Sequence, residues 1–207
     1  MLESSARRAH LRAAAGVFAL GLLVSGCAEE KKAAPAPEPT PIANLNTRAM
    51  DLPRIEFCGL VPEAAVTEAL GGKADADASY GNGDEEELPD IGTVVLHELG
   101  CSWTGEDGTT ARAWVFARPI SPAFARTVVD AGKRTPGCRT VTGPEFGTPS
   151  ATQVCEFDQG RKRVRHAGLF GQSWLSCELA AKGEMTQLRT RTDAWCVDVV
   201  NALNTSP

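Results

Sequence analysis

The positions of the seven cysteines constrain this chain more than any other feature of its sequence. One cysteine, Cys27, ends an apolar stretch, and the other six are spread over the rest of the chain: Cys58, Cys101, Cys138, Cys155, Cys177 and Cys196. An even number of cysteines outside the cytoplasm predicts a disulfide framework. Six cysteines can pair in 15 ways, and sequence alone does not choose among them. Pairing between neighbours is preferred because short loops cost least entropy to close: Cys58 with Cys101, Cys138 with Cys155 and Cys177 with Cys196.

Residues 1–26 have the layout of an export signal peptide. Three arginines precede an uncharged run that ends in small residues: Arg7, Arg8, Arg12, then Ala13 onward, with Ser25 and Gly26 at the end. The uncharged run is shorter than the roughly 18–20 residues that a membrane-spanning helix needs. Arg7-Arg8 could indicate the twin-arginine route, but the residues around it match that signal poorly, so general secretion is favoured.

The four residues Val24-Ser25-Gly26-Cys27 resemble a bacterial lipobox. The resemblance implies that the sulfur of Cys27 carries a diacylglyceryl group with acyl chains such as palmitate. Two chains, at about 0.8 kcal/mol per buried methylene, anchor a protein stably where one chain is marginal. The alternative is an ordinary secretory signal followed by an incidental cysteine. We expect a lipoprotein anchored to the extracytoplasmic face of the cell membrane.

The composition changes after Cys27. Residues 27–52 are rich in Ala, Glu, Lys and Pro, and four prolines stand at alternate positions: Pro35, Pro37, Pro39 and Pro41. Such spacing favours an extended, disordered linker. Residues 53–207 then form a single globular domain, which is long enough to bury about 70% of its unfolded surface.

The charge balance excludes one large class of partners. The whole chain has 21 basic and 26 acidic residues, a net charge of -5, and removal of residues 1–26 leaves 18 against 25, or -7. A nucleic-acid-binding domain would be basic, so we expect no nucleic-acid partner.

Hydrophobic periodicity predicts an α+β fold. Helices are predicted over 62–70, 122–132 and 193–203, the last capped by Thr192, and period-two strands are predicted around 99–103, 111–117, 153–157, 161–165, 175–179 and 185–189. Runs of antiparallel strands broken by single helices are typical of an antiparallel sheet with about three helices on one face. Disulfides would brace this fold.

Two short motifs carry a family resemblance. The segment Phe57-Cys58-Gly59-Leu60-Val61-Pro62 precedes a short helix, and Gly100-Cys101-Ser102-Trp103 follows later. With the lipobox and linker, this layout is similar to an actinobacterial lipoprotein family catalogued as a domain of unknown function. The resemblance supports pairing Cys58 with Cys101 and implies no activity.

No constellation of residues predicts catalysis, so we expect no enzyme and no cofactor. Gly171-Gln172-Ser173-Trp174-Leu175 lacks the final glycine of a nucleophile elbow. His97-Glu98-Leu99-Gly100-Cys101 has no second histidine where a zinc-protease helix needs one, and C-x-x-C spacing is absent, so no metal site is predicted. His97 and His166 are isolated histidines, for which a surface or core role is favoured.

Two charged segments and the tryptophans remain. Strand alternation places Arg161, Arg163 and Arg165 on one face and Lys162 and His166 on the other. This basic strand could bind an anion such as a phosphate-bearing envelope polymer or lipid head group, but the favoured interpretation is that its charges protect a sheet edge from pairing with another chain. The acidic run 84–87, in a glycine-rich segment with Tyr80, fits no calcium-loop spacing and is interpreted as a solvated loop.

The four tryptophans could line a sugar-binding surface, but a core role is favoured: Trp103, Trp114, Trp174 and Trp195.

Three functions remain compatible with these features. The first is a non-catalytic binding or surface-sensing module for an envelope ligand, which predicts a concave apolar pocket with few polar groups. The second is a lipoprotein that docks to another envelope protein through a flat apolar patch. The third is an enzyme with an unrecognised site, which predicts a cleft with a perturbed titratable residue. The binding module is the preferred hypothesis.

Overall fold

The computed structural model describes residues 41–88 and 92–205. In these residues the helices are α1 (Glu63–Leu70), α2 (Pro122–Gly132) and α3 (Met185–Asn204). The strands are β1 (Ala74–Tyr80), β2 (Glu85–Leu88), β3 (Gly92–Val95), β4 (Glu98–Gly105), β5 (Thr110–Phe116), β6 (Cys138–Val141), β7 (Ser150–Glu156), β8 (Arg161–Phe170) and β9 (Ser173–Lys182).

Seven strands form one antiparallel sheet in the order β1-β4-β5-β9-β8-β7-β6, and β2 and β3 form a separate hairpin. Hairpins join β4 to β5 and β8 to β9 directly, so most neighbours in the sheet are also neighbours in sequence. The α+β fold class, with an antiparallel sheet, three helices and three disulfides, is confirmed.

The sheet is packed on both faces, which differs from the expectation that its helices share one face. On the first face, Val164, Leu175 and Leu179 belong to the main core, together with buried residues of α1 and α3. On the second face, Ala167 and Trp174, which alternate with those residues along β8 and β9, pack against Ala125 of α2 in a smaller cluster. The short apolar stripe of α2 therefore covers only one end of the second face.

Trp195 anchors α3 to the sheet. Its side chain is fully buried and packs edge-on against Trp103 with ring centroids 5.4 Å apart. The indole N–H donates a hydrogen bond of 3.1 Å to the carbonyl oxygen of Arg112 on β5. The neighbouring disulfide between Cys177 and Cys196 joins β9 to α3 inside the same core. Packing, a hydrogen bond and a covalent bond thus hold one helix in place.

The folded part of the chain starts before residue 53, contrary to the predicted boundary of the linker. Short 3-10 turns cover Ile42–Asn44 and Thr47–Ala49. Ile42 and Leu52 are 5% and 1% exposed and belong to the main core. The alternating prolines predict an extended chain. They give no indication that Ile42 and Leu52, which follow them, pack in the core of the domain. The part of the linker at 27–40, Cys27 and the signal peptide lie outside the described residues.

The last helix is longer than predicted. Residues 185–189, expected to form a strand, are the first turns of α3, and Leu188 packs in the core. Thr192, expected to cap the helix, lies inside it, and its hydroxyl donates to the Leu188 carbonyl at 2.7 Å. The apolar residues of this segment, Met185 and Leu188, are three residues apart, which is the spacing of one helix face, and α3 packs on α1 and β9.

The glycine-rich acidic segment is not a plain loop. β1 forms an edge of the sheet beside β4, and β2 pairs with β3 in the two-stranded hairpin. Within residues 41–88 and 92–205, no helix is long and apolar enough to cross a bilayer.

Candidate functional site

A concave apolar surface lies where β5 leads into α2. We call it the aromatic hollow, a cavity of about 290 Å³ lined by Phe116, Ile120, Phe124, His97, Glu98 and Arg118. Its volume is just below the roughly 300–1,000 Å³ of small-molecule sites. Three of its six lining residues are apolar and three are polar or charged, whereas the binding-module hypothesis predicts an apolar pocket with few polar groups.

Local structure holds the aromatic hollow open. Ile120 is fixed by its backbone N–H, which donates to the Gln172 carbonyl at 2.8 Å, and its side chain is buried. Ser121 caps α2, its hydroxyl accepting the backbone N–H of Phe124 at 3.2 Å. The cap places Phe124 in the first turn, where its ring is 51% exposed. Helical spacing predicts Phe124 on the core face, but Ala125 is the residue of α2 that is fully buried.

Glu98 is the polar end of the aromatic hollow. The Tyr80 hydroxyl donates to its carboxylate at 3.2 Å, and the Tyr80 ring lies against Gly100 with no room there for a Cβ. Burial raises the pKa of Glu98 above its usual value, while the Tyr80 hydrogen bond and the charges of Arg112 and Arg165 oppose the shift. Burial and the Glu98 charge likewise raise the pKa of Tyr80. Glu98 is therefore a partly buried acceptor at this end of the aromatic hollow, held by the Tyr80 hydroxyl.

The two central arginines of the basic strand converge on one buried carboxylate. Arg165 donates from Nε to Glu178 Oε2 at 2.7 Å, and Arg163 Nε lies 3.6 Å from the same oxygen. The Arg165 guanidinium also stacks over Trp114 at 4.8 Å from the ring centroid. Burial lowers the pKa of Arg163, and the charge of Glu178 opposes this effect. Arg165 is thus paired within the protein, whereas the buried Nε of Arg163 has no hydrogen-bond partner among the described residues.

The other basic residues of this strand also have protein partners. Arg161 donates to the Gly108 carbonyl at 2.8 Å and to the Thr110 hydroxyl at 3.1 Å. Lys162 donates to the Gly183 carbonyl at 2.8 Å. The structure therefore places Arg161, Lys162, Arg163 and Arg165 on one strand, as alternation predicts, but engages each of them internally. β8 lies inside the sheet between β9 and β7, so these charges do not protect an edge.

His166 is a buried link between the sheet and α3. Its ring is 1% exposed, with Nδ1 2.9 Å from Thr152 Oγ1 and Nε2 2.7 Å from Asp193 Oδ1. Thr152 is 4% exposed, so its hydroxyl is not accessible to a substrate. This arrangement resembles a nucleophile, base and acid in composition, but its geometry is that of a structural hydrogen-bond chain.

The remaining candidates take structural positions. Ser173 is fully buried, and its hydroxyl donates to the Leu52 carbonyl and accepts from Arg54 Nη1 at 3.1 Å. Three of the four tryptophans are buried in the two cores, whereas Trp114 lies half-buried under the arginines. Among the residues that the structure describes, no group of three or more His, Cys, Asp or Glu side chains is arranged to hold a metal ion.

All six domain cysteines are paired in disulfides. They join Cys58 to Cys101, Cys138 to Cys155 and Cys177 to Cys196, which is the pairing preferred from sequence order. Cys138 and Cys155 are opposite each other in the register of β6 and β7. The guanidinium of Arg163 lies beside this pair, a contact that no sequence pattern indicates.

Comparisons with known proteins give a limited picture. No protein-family model matches the chain, and no curated protein matches it. The predicted kinship with an actinobacterial lipoprotein family therefore stays a prediction. One similar solved structure is the extracellular domain of PknH from Mycobacterium tuberculosis, at 16% identity and a TM-score of 0.46 over 74% of this chain and 98% of that one.

Proposed function

We propose that this chain is a membrane-tethered extracytoplasmic lipoprotein that acts as a non-catalytic binding module, with the aromatic hollow as its ligand site. The ligand class is a small, mainly apolar molecule, or the apolar part of a larger envelope component, that carries a hydrogen-bonding group. Docking to another envelope protein without a small ligand is the alternative function.

The observation that carries the proposal is the exposed ring of Phe124 beside Phe116 and Ile120. An aromatic side chain at the rim of a concave apolar surface is hydrated in the free protein. Full burial of such a side chain is worth about 1.5–3 kcal/mol, so a ligand that covers it gains affinity. Glu98 at the polar end orients the ligand. A ligand donor buried in the hollow loses its hydrogen bonds to water, so the favoured pose places that donor against the Glu98 carboxylate.

The location rests on separate observations. The chain has three disulfides. Disulfides persist in the oxidising compartments outside the cytoplasm, whereas thiols in the cytoplasm are kept reduced. The export signal and the lipobox-like segment ending at Cys27 agree with that compartment. The anchor has a direct test: Cys27→Ala should move the full-length protein from the membrane fraction to the soluble extracytoplasmic fraction. Retention of the variant in the membrane would reject the lipid on Cys27.

The hollow is tested with a neutral apolar fluorophore, N-phenyl-1-naphthylamine, titrated into the oxidised protein. We expect saturable binding that weakens about tenfold in Phe124→Ala, equivalent to about 1.4 kcal/mol of lost apolar contact. Phe157→Ala is the matched control, because Phe157 is also an exposed aromatic residue, at 40%, and does not line the hollow.

Two results would reject the site: no saturable binding by the unmodified protein, or equal weakening by Phe124→Ala and Phe157→Ala. Native mass spectrometry of protein recovered from its own envelope extract then separates the two functions. An added mass of a few hundred daltons supports the binding module, and an added protein mass supports docking.

A further inference from the structure

We propose that the disulfide between Cys138 and Cys155 is a thiol-exchange site, at which a small thiol forms a mixed disulfide with Cys138. The inference rests on what surrounds the two sulfurs. Arg163 Nη2 lies 3.4 Å from Cys138 Sγ and 3.3 Å from Cys155 Sγ. A cation within hydrogen-bond distance of sulfur stabilises the thiolate form and lowers the pKa of a thiol.

The charge of Arg163 is available to the sulfurs. Its carboxylate neighbour, Glu178, is 3.6 Å from Arg163 Nε but only 2.7 Å from Arg165. The Phe157 ring covers the guanidinium at 5.3 Å, which limits its hydration. The positive charge therefore lies in a partly buried environment, where its interaction with a developing thiolate is screened less than at the surface.

The two cysteine residues differ in exposure, and this difference sets the direction of exchange. Cys138 is partly exposed on the edge strand β6, whereas Cys155 is 1% exposed on β7. A thiolate approaching from solvent reaches Cys138 first. Its sulfur forms a bond to Cys138 Sγ, the bond between Cys138 and Cys155 breaks, and the electron pair leaves on Cys155 Sγ as a thiolate beside Arg163. A leaving thiol with a lower pKa leaves faster.

The same molecule contains a matched comparison. The pair Cys58 and Cys101 also has one partly exposed and one fully buried cysteine. The polar group near its sulfur is a carbonyl, with the Gly100 oxygen 3.3 Å from Cys58 Sγ. A carbonyl dipole disfavours a thiolate, so the two disulfides share their exposure and differ in electrostatics. The third disulfide, between Cys177 and Cys196, has no exposure at either cysteine.

Exchange would release an edge of the sheet. β6 has four residues and pairs only with β7. Short edge strands open locally at low cost. Opening of this disulfide is therefore compatible with an otherwise intact fold.

The experiment treats the oxidised full chain with 2-mercaptoethanol, a small thiol that carries no charge other than that of its reacting thiolate. Acid quenching at intervals and peptide mass mapping follow each disulfide separately. We expect the mixed disulfide at Cys138 to form about ten times faster than any adduct on Cys58 or Cys101. Arg163→Gln should remove this advantage, and Arg163→Lys, which keeps the charge, should retain part of it.

Arg161→Gln is the control, because Arg161 lies on the same face of the same strand and contacts Gly108 and Thr110 instead of sulfur. It should leave the ratio of the two rates unchanged. Equal rates at the two disulfides of the unmodified protein would overturn the proposal, as would an unchanged ratio in Arg163→Gln. A variant that fails to fold is recognised by reaction at Cys177 and Cys196, and the comparison of the two pairs in the unmodified protein then decides.

Discussion

Replacement of Asp193 by alanine should destabilise the domain through His166. The Asp193 carboxylate lies on α3, 2.7 Å from Nε2 of His166, which is 1% exposed. Removal of the carboxylate therefore takes away the hydrogen-bond partner of this buried ring nitrogen. Loss of a hydrogen bond to a charged group costs about 1.5–3 kcal/mol. The side chain of Asp193 is 36% exposed, which lets water replace part of the interaction and favours the lower part of this range, about 2 kcal/mol.

One opposing effect reduces the loss. Alanine is a better helix former than aspartate by about 0.5 kcal/mol, which leaves a net destabilisation of about 1.5 kcal/mol. Urea unfolding followed by far-UV circular dichroism measures it. With a denaturant dependence of about 2 kcal/mol per molar urea, the midpoint should fall by about 0.7 M at constant slope.

Two further variants make the prediction specific. Asp193→Asn keeps an oxygen that accepts from Nε2 and should lose less than Asp193→Ala. Thr152→Val removes the partner of Nδ1, and the double variant should be less destabilised than the sum of the singles, because all three side chains form one chain. A midpoint for Asp193→Ala within about 0.2 M of that of the unmodified protein, equivalent to about 0.4 kcal/mol at this slope, would refute the role of His166 as a link.

Two other substitutions follow from local structure. Burial and the nearby charge of Glu68 raise the pKa of Asp198, which means that the folded state disfavours the ionised carboxylate. The free energy of unfolding therefore falls as the pH rises through the raised pKa. Asp198→Asn should therefore raise Tm at pH 7 and have little effect below the usual pKa of an aspartate; a lower Tm at pH 7 would contradict this sign. Gly168→Ala should destabilise the domain by about 1–3 kcal/mol, because its Cβ would overlap the Phe146 carbonyl oxygen. Gly59→Ala, where a Cβ meets nothing within 4 Å, is its control, and equal urea midpoints for the two alanine variants would show that the overlap is relieved at no cost.

Sequence periodicity predicts much of the fold because most of the contacts are local. β4 with β5, and β8 with β9, are hairpins whose alternation and glycine turns are visible in the chain. The pairing of Cys138 with Cys155 follows for the same reason, because these cysteines lie opposite each other on the antiparallel neighbours β6 and β7.

The differences arise where tertiary packing decides. The first turns of α3 contain several threonines, which are common in strands, and this segment is helical where Leu188 is buried in the main core. Likewise, the stripe on α2 predicts a helix correctly but not which sheet face it covers. The exposure of Phe124 depends on that placement, so the aromatic hollow could not be predicted from the sequence.

The candidate anion site shows a similar limit. Alternation predicts that Arg163 and Arg165 share a face, but nothing in the basic segment indicates that Glu178 lies opposite Arg165 on the neighbouring strand β9. A charge run shows which groups are present, whereas the partners across a sheet depend on register. The contact of Arg163 with two sulfurs is a result of the same register.

The docking of Ile42 against the core limits the reach of the domain. With the proposed lipid on Cys27, residues 28–40 separate the anchor from the turn that contains Ile42, and a segment of that length reaches at most about 45 Å when fully extended. Ile42 packs on the face of the sheet covered by α3, opposite to the face that carries α2 and the aromatic hollow. The domain must then bind its ligand within about that distance of the membrane. Extension of residues 28–40 should increase the distance from the membrane that the domain can reach, without changing the site itself.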